Sequence, residues 1–98
     1  MTTKYGRTII RKPGGKTLII EITIENNKIK ELVISGDFFA YPENQIDEIE
    51  EKTRNLTIQQ ALEIISKNLK TTKLLGITPE DIIKGIKQAI KNAVTDFI

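Results

Sequence analysis

The stretch Thr17-Leu18-Ile19-Ile20-Glu21-Ile22-Thr23-Ile24-Glu25 constrains the fold more than any other part of the chain. Leu18, Ile20, Ile22 and Ile24 take every second position, and Thr17, Ile19, Glu21, Thr23 and Glu25 take the others. Side chains alternate across a strand, so one face of this segment is wholly apolar and the other is mixed. A strand of that kind is stable only when something covers its apolar face. The 98 residues supply one modest core, and we expect a single domain over residues 1–98.

Asn26-Asn27 follows the strand. Asparagine tolerates positive φ, so a tight hairpin turn fits, with a return strand from Lys28 to Gly36. The return strand has a phase problem. A plain two-residue hairpin sets Ile24 opposite Ile29 and Ile22 opposite Glu31, placing a carboxylate on the apolar face. One extra residue near Lys30-Glu31 restores the pairing of Ile22 with Leu32 and Ile20 with Ile34, as a β-bulge does. The rival arrangement is a sheet covered on both faces around Ile19, Val33 and Ile10. Upstream, Tyr5 to Arg11 reads as a third strand, and Lys12-Pro13-Gly14-Gly15 turns the chain.

The period changes after Tyr41. Pro42 suits the first position of a helix and Glu43 its first turn, with Ile46 and Ile49 as a narrow apolar edge. A second helix starts at Thr57, which has capping-box spacing to Gln60, and carries the stripe Ile58, Ala61, Leu62, Ile65 and Leu69. Leu74-Leu75-Gly76-Ile77 reads as a connector. Thr78-Pro79-Glu80-Asp81 is a helix start capped by Thr78. The last helix packs Ile82, Ile83, Ile86, Ala89, Ile90, Ala93, Val94 and Phe97, with Lys84, Lys87 and Lys91 outside. The expected fold class is α+β: a small antiparallel sheet of about three strands, packed on one face by about three helices.

Composition excludes several chemistries. The chain has no cysteine and no histidine, which removes thiolate chemistry and the commonest general base. Its 15 basic and 13 acidic side chains leave a net charge of +2, too even to argue for nucleic acid. Neither a signal-peptide pattern nor a run approaching the ~20 apolar residues of a membrane span is seen, so a cytoplasmic protein without membrane contact is expected.

Two stretches stand apart. In Arg11-Lys12-Pro13-Gly14-Gly15-Lys16-Thr17, the end matches a P-loop. The first glycine of that motif would fall on Ile10, and Lys16 opens a strand where a P-loop needs a helix N-terminus. The plain reading is a glycine turn, with Lys12 and Lys16 at its ends free to approach an anion. The second stretch is Ile34 to Glu43. Its adjacent Phe38 and Phe39 cannot both point inward, so one enters the core and the other is exposed or covered by a partner.

These residues carry a resemblance. Lys12-Pro13-Gly14-Gly15-Lys16, then a hairpin, then Ile34-Ser35-Gly36-Asp37-Phe38-Phe39-Ala40-Tyr41-Pro42-Glu43, resembles the C-terminal accessory domain of lipoate–protein ligases. More specifically it resembles the archaeal form, in which that domain is a separate polypeptide. Gly76 to Ile82 is similar to the entry into that domain's last helix, whereas Thr53 to Lys73 departs most from the pattern.

The resemblance implies an accessory subunit, inactive alone, of an enzyme that joins ATP and lipoate as lipoyl-adenylate. The lipoyl group then passes to a lysine of an acceptor, either an E2 subunit of a 2-oxoacid dehydrogenase or the glycine-cleavage H protein. The implied partner is the catalytic subunit, which binds ATP, magnesium and lipoate; no cofactor is expected on this chain. The small domain is implied to serve adenylation and to be largely dispensable for transfer. The expected partner interface comprises Lys12, Gly14, Gly15 and Lys16 of the turn with Gly36, Asp37, Phe38, Phe39, Tyr41 and Pro42 of the corner. Lys16 is the candidate phosphate contact, with Lys12 as the second choice, although covering and ordering the partner's loops is the preferred role. The alternative function is a small nucleic-acid-binding or interaction domain using Lys67, Lys70, Lys73, Lys84, Lys87 and Lys91.

Overall fold

The computed structural model describes residues 3–14 and 16–95. Strands β1 (Thr3–Arg11), β2 (Thr17–Glu25) and β3 (Lys28–Gly36) form an antiparallel sheet in the order β1-β2-β3. The alternating segment is therefore the central strand. Leu18, Ile20 and Ile22 are fully buried and Ile24 nearly so. Burying side chains of this size contributes roughly 1.5–3 kcal/mol each, which makes β2 the organiser of the core.

The hairpin has the anticipated geometry. Asn26 and Asn27 have φ of 53° and 64°, the pair of positive values that a tight turn matching the sheet twist requires. The register shifts between Thr23, opposite Glu31, and Ile24, opposite Ile29, so Lys30 is the extra residue. The bulge places Leu32 opposite Ile22 and Ile34 opposite Ile20, and all four lie on the covered face.

The helices are α1 (Gln45–Lys52), α2 (Ile58–Leu69) and α3 (Pro79–Thr95). α3 packs across β1 and β2, whereas α1 and α2 lie against β3. Helix α2 begins with the expected reciprocal cap: the Gln60 amide donates to Thr57 Oγ1 at 3.3 Å and the Thr57 amide to Gln60 Oε1 at 3.1 Å. α3 is also tied to the β1 edge, where Asn92 Nδ2 donates to the Arg7 carbonyl at 2.8 Å. No described helix is long and apolar enough to cross a membrane.

The α+β class is as expected, with three corrections. Leu74 and Leu75 do not simply connect: β5 (Lys73–Leu75) pairs antiparallel with β4 (Phe39–Tyr41) in a second, two-stranded sheet. Strands of three residues show no periodicity to read. Pro42 is not the first residue of a helix, nor is Glu43 in a helix's first turn. Tyr41 is held extended by pairing with Lys73, the Tyr41–Pro42 peptide is cis, and the Pro42 carbonyl accepts from the Gln45 amide at 3.0 Å before α1 begins. Val94 is 53% exposed rather than packed, because it is turned about 100° round α3 from the buried Ala93, to the edge of a hollow bordered by Lys4 and Ile24. Phe97 and Gly15 lie outside the described residues.

Candidate functional site

Both distinctive stretches end at one residue, Thr17. The turn after β1 is closed by the Lys12 amide donating to the Lys16 carbonyl at 2.7 Å. Gly14 sits within it at φ +87°, with open space where a side chain would begin. Its glycine is needed for conformation, not for clearance. At the far end of β3, Gly36 has φ +145°, and a Cβ there would lie 2.1 Å from the Thr17 carbonyl oxygen. That close approach lets Asp37 bond β2 twice. Its carboxylate accepts from the Thr17 amide, and its own amide donates to the Thr17 carbonyl at 3.1 Å. The turn and the aromatic corner are thus one structural unit.

The two lysines of the turn have different fates. Lys12 Nζ lies 3.1 Å from Asp81 Oδ1, so its charge is engaged rather than free to approach an anion. The Lys16 stem runs alongside Gly76, its carbons 3.4–3.6 Å from where a Cβ of that residue would stand. Among the described residues Lys16 enters no ion pair.

Asp81 also completes the cap of α3. Its Oδ2 accepts from the Thr78 amide at 2.9 Å, while its amide donates to Thr78 Oγ1 at 3.1 Å. Burial pushes the Asp81 carboxyl up, but the Thr78 amide, Lys12 and the Thr78 hydroxyl together outweigh it and hold the group below its ordinary value of 3.8. A depressed folded-state value means that the stabilisation is present above the ordinary value and is lost as pH falls through the folded one. We therefore expect the domain to lose stability below about pH 4. Asp81→Ala should remove about 1 kcal/mol at neutral pH and flatten that acid limb. Chemical denaturation of both proteins across the acid range checks this; an unchanged limb would exclude the Asp81 cap as its origin.

Beyond Asp37 the chain enters the β4–β5 ribbon. Ala40 and Leu74 are paired and packed against the core. Phe39 pairs with Leu75 and Tyr41 with Lys73, and alternation turns these four outward. Phe39 and Tyr41 are each 70% exposed and Leu75 is 69% exposed. Phe38 goes the other way and packs on the core. One aromatic ring in and one out is the outcome that adjacent phenylalanines require.

The ribbon adds Leu75 and Lys73 to the residues anticipated for an interface. A signal for Leu75 was present: Leu74-Leu75 poses the same two-neighbour problem as Phe38-Phe39. Of the six lysines considered for nucleic acid, Lys70, Lys84, Lys87 and Lys91 share a groove between α2 and α3, whereas Lys73 belongs to the ribbon and Lys67 lies beside a neighbouring hollow. No group of three or more acidic, histidine or cysteine side chains that could hold a metal ion exists among the described residues. The unit presents an apolar surface beside lysines.

Comparison with known proteins agrees with this layout. The family described as bacterial lipoate protein ligase C-terminus matches residues 10–86. The chain belongs to that family. The match takes in the glycine turn, the ribbon and the start of α3, which together form the site. The chain is 32% identical over 69 residues to lipoate-protein ligase A subunit 2 of Thermoplasma acidophilum, covering 69% of this chain and 73% of the relative. Among solved structures it superposes on a chain from an archaeal bipartite lipoate protein ligase and its E2 lipoyl domain, also from Thermoplasma acidophilum. That likeness has a TM-score of 0.67 and 29% identity, and covers 88% of this chain and 93% of the other. The family relationship expected from the turn and corner motifs is therefore established, together with the likeness to an archaeal form made of separate parts.

Proposed function

We propose that this chain is the accessory subunit of a two-part lipoate–protein ligase, docking through its β4–β5 ribbon onto a catalytic subunit. The observation that carries the proposal is the exposed Phe39, Tyr41 and Leu75 on a fold matched along most of its length by one chain of a bipartite ligase. Apolar groups held out of a core by strand pairing are what a permanent partner covers. The catalytic subunit supplies the sites for ATP, magnesium and lipoate, and the acceptors are lipoyl domains of E2 subunits or the glycine-cleavage H protein.

Adenylation builds negative charge at the α-phosphate and pyrophosphate and yields a mixed anhydride that water would destroy. A docked subunit assists by fixing the loops that close over this intermediate and by excluding water. Lys16 offers a second, direct route: its ammonium could extend past Gly76 toward developing phosphate charge.

The test is reconstitution. This chain alone should release no pyrophosphate from ATP and lipoate, and adding it to the catalytic subunit should restore adenylation. Pyrophosphate release by the isolated chain, or adenylation indifferent to its presence, would overturn the proposal. Lys16→Ala separates the routes. Near-normal adenylation supports loop ordering, and a loss on the order of a hundredfold identifies a transition-state contact. Transfer from preformed lipoyl-adenylate should be spared in both.

A further inference from the structure

A second surface, sharing no residue with the ribbon, lies between α2 and α3. Its floor is aliphatic: Ile83 and Pro79 are partly exposed, over the buried Leu69. Its walls are basic, with Lys70 from α2 and Lys84, Lys87 and Lys91 from α3. The groove measures about 750 Å³ and has Glu80 as its acidic member. Lys84, Lys87 and Lys91 recur at i, i+3 and i+7, which aligns them along one side of α3 over about 10 Å. Like charges at these spacings destabilise a helix surface, and nothing in the core requires them.

The acids of α1 are engaged elsewhere. Asp47, Glu48, Glu50 and Glu51 are gathered on α1. There Glu48 pairs with Lys52 and Glu50 accepts from the Ile34 amide. Among the described residues Lys70, Lys84 and Lys87 enter no ion pair. The charges of Lys70 on one wall and of Lys84 and Lys87 on the other are therefore available to a partner's negative charge.

We propose that this groove docks an acidic amphipathic helix of a protein partner, its apolar side on the partly exposed Ile83 and Pro79 and its carboxylates against Lys70, Lys84 and Lys87. The aliphatic floor selects protein over nucleic acid. Single-stranded nucleic acid is held by aromatic stacking and by arginine, and among the described residues neither an aromatic ring nor an arginine lines the groove. A helix laid in a groove uses what is present, aliphatic anchors along one stripe with flanking charge.

The experiment uses this chain alone, so its result is independent of the catalytic subunit. The probe is a fluorescein-labelled synthetic peptide with leucine at helical spacing and glutamate elsewhere. Comparators are the same peptide with glutamine in place of leucine, and an oligothymidylate of equal charge. The protein variants are Lys84→Glu/Lys87→Glu, whose exposed positions leave folding intact, and Phe39→Ala on the ribbon. We expect saturable micromolar binding of the leucine peptide by fluorescence anisotropy, with amide shifts on α2 and α3. Binding should be weaker by about tenfold or more for both comparators and for the charge-reversed variant, and unchanged by Phe39→Ala. Failure to saturate, equal binding of the glutamine peptide, tighter binding of the oligothymidylate, or indifference to charge reversal would each overturn the proposal.

Discussion

Replacing Phe39 and Tyr41 together by alanine should leave the fold standing and weaken binding to the catalytic subunit about a hundredfold or more. The argument rests on where the rings point. Both are 70% exposed, so truncating them removes little buried area and should move the unfolding midpoint hardly at all. In a complex the same rings become desolvated anchors at the centre of an apolar patch, the class of residue whose loss costs about 2–4 kcal/mol. The neighbouring Phe38 gives the reciprocal control. It packs against the core, so Phe38→Ala should destabilise the domain by about 2 kcal/mol, less than for a fully buried ring. Calorimetric titration against the catalytic subunit and thermal unfolding of each variant separate the two effects. If Phe39→Ala/Tyr41→Ala binds normally, the ribbon is not the docking face, even if the subunits still associate.

Adjacent phenylalanines with opposite phenotypes mark the limit of what the sequence discloses. Alternation in Leu18 to Ile24 reads directly as the covered face of a strand, and the phase conflict at Glu31 locates a bulge within a residue of Lys30. Both inferences work because a strand with one dry face allows only one register. The parity of Phe38 and Phe39 could be narrowed to one in and one out, but not assigned, because the strand that sets it is three residues long. Its partner, Lys73–Leu75, lies more than thirty residues away, beyond the reach of local pattern. The same non-local pairing displaces Pro42 from the helix that its own propensity suggests. Lys12 illustrates a second kind of limit. On a glycine turn it looks free to meet an anion, and only the arrival of α3 supplies Asp81 as its partner. The lysines of α2 and α3 were legible as surface, but their convergence on one groove depends on how the two helices pack.

The largest effect on stability should come from a glycine with no conformational role. Gly6 lies in β1 opposite Ile22, on the covered face, where α3 crosses the sheet. A Cβ at this position would stand 1.9 Å from the Ala89 carbonyl oxygen, 2.6 Å from the Ala93 nitrogen and 2.9 Å from the Ala93 Cβ. Two of these three atoms belong to the helix backbone, so no rotamer change relieves the overlap; α3 must lift from the strand. Lifting it loosens Ile82, Ile86 and Ala89 from their fully buried positions. Gly85 is the comparison. A Cβ there would meet Ile20 Cδ1 at 2.5 Å and Ile10 Cδ1 at 3.2 Å, both terminal methyls that can swing aside. Alanine at this helical position also recovers roughly 1 kcal/mol of propensity. Gly6→Ala should therefore cost at least about 3 kcal/mol, the upper end for overpacking, while Gly85→Ala should stay within about 1 kcal/mol of the parent. Gly6→Val should exceed what a domain of this size can lose and leave it unfolded, since total stabilities are about 5–15 kcal/mol. Urea unfolding of the alanine variants, with circular dichroism of Gly6→Val, measures the series. A Gly6→Ala protein as stable as Gly85→Ala would mean that α3 does not sit against β1 at this distance.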